Sequence, residues 1–383
     1  MSSTGNSNKN IVFINQATGY LTIDIVNTFA QSFDNVALIA GSIRVQDIPL
    51  NPTVRWEKIV RYNRGNPGRK FFSWLIGSIQ IFFLLLFRYR RYEVFYFTVP
   101  PFAYLLSLIF PNKFSILVFD VYPDVLKIYG ISPKRLLYRA WKRWNLRLFR
   151  RAHRIFTIGE KMAGLVQQYV SGERVTIVPL WTGLTKASPV PKRNNEWLKG
   201  LNLCDRFIVE YSGNIGYTHN VEVVVEIAER MKNYAWCQFL IVGRGDKAIK
   251  IKELIDKKEL TNCTLLPFQP DNMLTLSLAA ADIGVVLLDE KVADVSLPSK
   301  IYNLQAVGVP ILGISPPESE LADHLKKYGN GVCFRQHDLD GITNFINRVY
   351  SDSLLRRQLS ENSLKAAEDF TMANAYRYLD EYL

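Results

Sequence analysis

Only four of the 383 residues are cysteine, at positions 204, 237, 263 and 333, and none forms a C-x-x-C pair. That scatter argues against a disulfide framework or a zinc ribbon and fits a reducing compartment. Histidine is equally sparse. His153, His219, His324 and His337 share no metal-ligand spacing, so no metal is expected. The opening MSSTGNSNKN has no apolar stretch, which predicts a disordered tail over residues 1–10 rather than a signal peptide. Acidic residues are scarce in one half only. Residues 1–182 hold 24 Lys and Arg against 9 Asp and Glu, whereas the remainder holds 23 against 26. The net charge of +12 is therefore +15 in the first half and −3 in the second. A basic half of that kind calls for a polyanionic partner, either nucleic acid or an anionic membrane surface.

What is present is a repeated rhythm. Hydrophobic residues make up 48% of the chain, and 383 residues suit two cores better than one. Continuous apolar runs recur at Ile11–Asn15, Val36–Ala40, Val94–Phe97, Ile116–Phe119, Ile155–Ile158 and Val175–Val178. Helical stretches separate them, the pattern of parallel strands covered on both faces. The rhythm breaks over Trp181–Leu201, then resumes at Phe207–Tyr211, Phe239–Val242, Thr264–Leu266, Ile283–Leu288 and Val309–Leu312. The expected fold is α/β, with two Rossmann-like domains facing each other across a cleft. The boundaries read as 11–182 for the first domain, 183–201 for a linker and 202–355 for the second. Residues 356–383 read as C-terminal helices able to cross back to the first domain. Ligands in such sheets bind outside the carboxyl ends of the strands, so the loops there are the places to look.

Three loops of the second series stand out. Tyr211–Gly216 (YSGNIG) follows a strand and precedes a helical run; its glycines allow close approach to a phosphate, or simply make a turn. Val242–Asp246 (VGRGD) ends the next strand, with Arg244 facing either a phosphate or solvent. It lacks the third glycine of a dinucleotide fingerprint. The most informative stretch is Ser296–Pro310, where Ser296, Pro298 and Ser299 suit a helix start. Lys300 then falls in the first turn, where the helix dipole disfavours a cation. A bound anion would explain it; so would an exposed lysine on a solvated face.

Taken in order, SGNIG, VGRGD, LPFQP (266–270), AADIGVVLL (280–288) and LPSKIYNLQAVGVPIL (297–312) resemble the C-terminal half of glycosyltransferase family 4. The likeness is greatest to the branch of bacterial O-antigen, capsule and exopolysaccharide sugar transferases, including L-fucosamine transferase-like proteins. The resemblance implies the GT-B fold, a nucleotide-diphosphate sugar as substrate, retention of anomeric configuration and no metal or other cofactor. It places the donor diphosphate at Gly213, Asn214, Gly216, Ser296, Pro298, Ser299 and Lys300. It places the base and ribose near Gly243, Arg244, Gly245, Phe268 and Asn303. The sequence departs from the family where Tyr217-Thr218-His219 replaces a usual Lys, Asn303 a usual Glu, and Val295, beside Asp294, an acid. In the first half, Phe119–Asp124 (FDVYPD) resembles the family's D-L-W-P-E segment, making Asp120 the candidate for activating or orienting the acceptor hydroxyl. A turn or capping aspartate is the plainer reading. Thr18-Gly19 resembles the family's N-terminal phosphate loop.

Two segments raise the membrane question. Phe71–Phe87 is 17 mostly apolar residues between clusters of Lys and Arg. It reads as a core helix, a helix dipping into the interface, or a short span. Lys134–Arg154 holds nine Lys and Arg and no acid, interleaved with Leu, Tyr and Trp. Such a helix fits an anionic lipid surface, or is a Rossmann helix with a basic outer face. No nucleic-acid motif accompanies it, so nucleic acid is not expected. The resulting expectation is a peripheral enzyme on the cytoplasmic face of the membrane, contacting it through 71–91 and 134–154. It would transfer a sugar to a lipid-linked, polyprenyl-diphosphate glycan in surface polysaccharide synthesis. Lys300 and Arg244 would stabilise the departing diphosphate. The rival readings are a catalytically inactive GT-B scaffold and, less favoured, an epimerase of the same fold.

Overall fold

The computed structural model describes residues 9–63, 65, 67–127, 132–216, 220–289 and 298–383. Its backbone contacts divide the chain into two units, residues 1–183 with 372–383, and residues 184–371.

The first unit is built on a parallel sheet. In chain order it contains β1 (Asn10–Ile14), β2 (Ala17–Thr18), α1 (Tyr20–Phe29), β3 (Asn35–Ala40), β4 (Ser42–Ile43), β5 (Arg55–Lys58) and α2 (Pro67–Phe87). There follow β6 (Glu93–Phe97), β7 (Phe114–Val118), α3 (Leu136–Arg151), β8 (Ile155–Thr157), α4 (Glu160–Gln167) and β9 (Val175–Ile177). The seven-stranded order is β5-β3-β1-β6-β7-β8-β9, with β2 and β4 forming a separate short pair. Beyond their first residues the central strands are buried, which is why their sequences are apolar runs. β5 breaks that rule. Its sequence RWEK is polar because it lies at the sheet edge, and no apolar run announces it.

The second unit begins in the stretch read as a linker. Residues 184–201 belong to this unit, and their helix α5 (Glu196–Gly200) buries Trp197 and Leu198 against it. Then come β10 (Phe207–Asn214), α6 (Glu222–Arg230), β11 (Cys237–Arg244), α7 (Ala248–Lys257), β12 (Cys263–Pro267), α8 (Asp271–Leu278) and β13 (Ile283–Leu287). The unit closes with α9 (Lys300–Ala306), β14 (Ile311–Ile314), α10 (Glu320–Tyr328), β15 (Gly331–Phe334), α11 (Leu339–Ser351) and α12 (Ser353–Ala367). Its six strands run parallel in the order β12-β11-β10-β13-β14-β15.

The last helix, α13 (Asn374–Tyr382), belongs to the first unit. The return therefore begins at residue 372, later than the expected 356, because α12 stays with the second unit. Tyr382 sets its ring 5.2 Å from Phe29, and Tyr378 sets its own 4.9 Å from Phe156. The end of the chain thus completes the core of its beginning.

Candidate functional site

The glycine turns after β10 and β11 are fitted backbone to backbone. Gly213 lies beside Gly243 in the sheet register. The Ile215 N–H donates to the Arg244 carbonyl at 2.9 Å, and the Lys247 N–H donates to the Ile215 carbonyl at 3.0 Å. A Cβ on Gly245, whose φ is 157°, would fall 2.4 Å from the Ile215 oxygen. At Gly213, with φ 156°, a Cβ would fall 2.6 Å from the Lys300 ammonium nitrogen. Glycine is required there both for the backbone angle and for the space that the lysine occupies.

Lys300 is the first residue of α9. Its Nζ is buried without a hydrogen-bond partner among the described residues, although the residue as a whole is half-buried. Nζ lies 4.1 Å from the ring centroid of Tyr211, and the Tyr211 hydroxyl donates to the Asn214 carbonyl at 2.7 Å. The aromatic face is thereby held under the cation. Burial pushes the Lys300 pKa down to about 7. That ammonium stands beside the Gly213 turn.

The other second-unit candidates fall in two groups. Arg244 places its guanidinium 4.7 Å from the ring centroid of Phe268, which is 38% exposed. The two residues follow neighbouring strands and make a flat, partly exposed platform suited to stacking. Trp197 Nε1 donates to Gln269 Oε1 at 3.0 Å and steadies the loop behind Phe268. Asn303 lies one turn beyond Lys300, so both face the same way along α9. Asn214 is exposed, Gly216 and Gly243 are buried, and Pro298 precedes the helix. Ser299 occupies the N-cap position, but its side chain makes no capping bond, contrary to expectation. Its backbone is already helical, which aims the hydroxyl away from the first-turn N–H groups. Ser296, Asp294, Val295 and Tyr217–His219 lie outside the described residues.

In the first unit, Asp120 follows β7 and Thr18-Gly19 follow β1, with β6 between those strands. Two strand spacings put their loops about 10 Å apart. The Thr98 hydroxyl, just after β6, accepts the N–H of Phe119 at 3.1 Å and of Asp120 at 3.3 Å. No hydrogen bond or ion pair holds the Asp120 carboxyl, so the turn or capping reading finds no support among the described residues. Burial raises its pKa, and Lys70 partly offsets the rise. Thr18 spends its hydroxyl on the Asn15 carbonyl at 3.0 Å. Gly19 is the N-cap of α1, with open space where a Cβ would be.

Lys70 and Trp74 are functional candidates that sequence reasoning missed. Both sit at the start of α2, and the apolar run that follows drew attention away from them. The helix buries Ile81 and Leu85 but also exposes apolar residues. Ser73, Gly77 and Ser78 face inward, and Gln16 Nε2 donates to the Ser73 carbonyl at 2.8 Å. Gln80 Oε1 accepts the Val60 N–H at 2.8 Å. Outward face Phe72, Ile76, Ile79, Phe83 and Phe87, the last 78% exposed. The helix is hydrogen-bonded to its domain at two levels, exposes an apolar stripe, and is long and apolar enough to cross a membrane by length and composition. In α3, Tyr138, Trp141, Leu148 and Phe149 face inward, leaving most of the arginines exposed. Trp141 stacks on Tyr122 at 5.6 Å, and Trp74 meets Tyr122 edge-on at 6.2 Å. Both helices therefore pack against the residue two positions beyond Asp120.

Comparison with known proteins agrees with this geometry. Residues 194–366 match the model of the family "Glycosyl transferases group 1". The chain is 24% identical over 349 residues to WbjE of Pseudomonas aeruginosa, named a probable glycosyltransferase, covering 87% of this chain and 86% of that protein. It is 26% identical over 217 residues to WcaI of Escherichia coli K12, whose name assigns it to colanic acid biosynthesis, covering 55% and 53% of the two chains. Among solved structures, Anabaena HepE in complex with UDP-glucose superposes with a TM-score of 0.71 at 14% identity, covering 97% of this chain and 98% of HepE. With both sheets parallel and the strand-end glycine turns and Lys300 in the matched half, the chain is a GT-B glycosyltransferase carrying a group 1 domain.

Proposed function

We propose that this enzyme works at the cytoplasmic face of a membrane, in surface polysaccharide synthesis. It would move a sugar from a nucleotide-diphosphate donor to a lipid-linked, polyprenyl-diphosphate glycan, with retention of configuration and without a metal. The observation that carries the reading is α2, which exposes a continuous apolar stripe while hydrogen bonds tie it to the domain. Burying one Phe or Ile side chain is worth about 1.5–3 kcal/mol, so five on one stripe make a strong apolar anchor. The exposed cations of α3 add attraction to anionic headgroups. Four free thiols fit a reducing compartment. The colanic acid assignment of WcaI and the UDP-glucose held by HepE support a polysaccharide product and a nucleotide-sugar donor.

In the reaction, an acceptor hydroxyl oxygen bonds to the anomeric carbon as the bond from that carbon to the diphosphate oxygen breaks. The diphosphate leaves with the electron pair. Lys300, beside the Gly213 turn, meets the negative charge that develops, the role a metal fills elsewhere. The Arg244–Phe268 platform receives the base. Asp120, freed of hydrogen-bond partners, orients the acceptor hydroxyl or takes its proton.

The test combines flotation with transfer. The protein should float with vesicles containing phosphatidylglycerol, and the Phe72→Asp/Phe83→Asp double variant should not. A panel of nucleotide sugars, including amino- and deoxysugars, is offered with a polyprenyl-diphosphate glycan in excess chelator, and the anomeric configuration of the product is read by NMR. Wild-type protein that ignores vesicles and glycosylates only water-soluble acceptors would overturn the reading.

A further inference from the structure

α2 starts beside the strand-end loops of the first sheet, and Lys70 stands in its first turn. The Lys70 ammonium lies 4.8 Å above the Trp74 ring. Trp74 in turn packs edge-on against Tyr122, in the loop that carries Asp120. Lys70 is the cation whose field reaches the Asp120 carboxyl. It forms no salt bridge among the described residues. The first turn of α2 contains no acid, and Lys70 sits at its positive end, where a neighbouring anion is favourable.

The neighbours of Lys70 decide what kind of anion. Phe71 and Phe72 are 47% and 60% exposed and begin the apolar stripe of the helix. Lys70 therefore sits where the exposed apolar stripe begins, with the Asp120 carboxyl within reach of its charge. In a membrane this is the level of phosphate groups. A ligand that fits carries an aliphatic chain on the outer side, an anion in the middle and a hydroxyl on the inner side.

We propose that Lys70 binds the phosphate that joins the acceptor's lipid to its sugar, and so sets the sugar hydroxyl against Asp120. This rests on the lipid-linked acceptor proposed above and assigns a residue to it. Trp74 holds the ammonium in place from below, and its contact with Tyr122 ties the phosphate seat to the Asp120 loop.

The experiment measures transfer to two acceptors with the same glycan, one on a lipid diphosphate and one on an uncharged alkyl glycoside, in wild type, Lys70→Gln and Lys70→Arg. The expected result is that wild type prefers the diphosphate. Lys70→Gln should raise KM for it about ten- to a hundredfold, the range of a lost charged hydrogen bond. KM for the alkyl glycoside should stay within about twofold, because no phosphate contact is lost there. Lys70→Arg should recover most of the difference. Unchanged donor affinity in Lys70→Gln shows that the protein is folded. If Lys70 only balances the charge of Asp120, the variant loses both acceptors in equal proportion, and the Lys70 assignment alone is overturned. If wild type uses both acceptors equally well, the lipid-linked reading fails and the assignment falls with it.

Discussion

The buried ammonium of Lys300 lies 4.1 Å from the face of Tyr211, with no hydrogen-bond acceptor in reach among the described residues. Aromatic contact offsets only part of the cost of desolvating a charge. The lysine is consequently half-titrated near pH 7 in the empty enzyme. A diphosphate needs the protonated form. Below about pH 7 the proton is already present, and donor affinity should be flat. Above it, binding must draw a proton from solution, and affinity should fall by up to about tenfold per pH unit. Titration calorimetry across that range reads the slope. Lys300→Met should bind donor about ten- to a hundredfold more weakly and lose the slope. A variant with wild-type donor affinity and turnover would remove Lys300 from the site.

Gly213 protects that arrangement. Alanine there would put a methyl 2.6 Å from the Lys300 nitrogen and force a φ of 156° on a residue that resists it. The backbone strain costs about 1–3 kcal/mol, which a domain of this size can absorb. Gly213→Ala should therefore stay folded while donor affinity falls at least about tenfold, because the ammonium is displaced. Gly164, with open space at its Cβ position, is the control: Gly164→Ala should leave donor binding unchanged. Equal behaviour of the two variants would show that the Gly213 contact is unimportant.

How much of this was legible beforehand follows from how each residue is packed. The central strands were visible because both their faces are buried, which forces continuous apolar runs. β5 was not, because an edge strand with three of its four residues exposed needs no such run. Lys300 could be singled out by a rule about helix dipoles, and the structure supplied the burial that makes it consequential. The same rule applied to Lys70, but the apolar run beside it dominated the reading. The stretch 184–201 looked like a linker because its polar and proline-rich residues hide one apolar helix turn, Trp197-Leu198. That α13 belongs to the first unit was not deducible, since an amphipathic helix declares that it has a buried side and not what covers it.

Glu210 was hidden differently, as one acid within the apolar strand FIVEY. One of its oxygens accepts from the Ser277 hydroxyl at 3.3 Å and the other has no partner. Burial raises its pKa from 4.5 to about 8. The sign follows directly. Between those values the folded protein holds a proton that the unfolded chain has released, so stability should fall as pH rises through that window. The slope is about 1.4 kcal/mol per unit at most for a single group. Glu210→Gln keeps the shape and removes the titration. Urea midpoints at about pH 5.5 and about pH 8.5 should differ less in the variant than in wild type. Equal differences in the two proteins would mean that the carboxyl is already ionised, or already solvated, in the folded state.

The last helix offers a test of how the first unit is completed. Tyr382 is 2% exposed, sets its ring against Phe29, Phe33 and Phe95, and donates its hydroxyl to Glu93. Tyr376, on the same helix, is 38% exposed and makes one long hydrogen bond, from Gln31 at 3.3 Å. Replacing a buried aromatic by alanine costs about 3–5 kcal/mol, against under about 1 kcal/mol for an exposed one. Tyr382→Ala should therefore lower the thermal midpoint of the first unit sharply, and Tyr376→Ala should barely move it. Glu93 would also be left without its phenol, so Tyr382→Phe should fall between the two, losing the hydrogen bond and keeping the rings. Donor-induced stabilisation of the second unit should survive in all three variants, because α13 belongs to the other body. Equal midpoints for Tyr382→Ala and Tyr376→Ala would show that the first unit does not depend on the end of the chain.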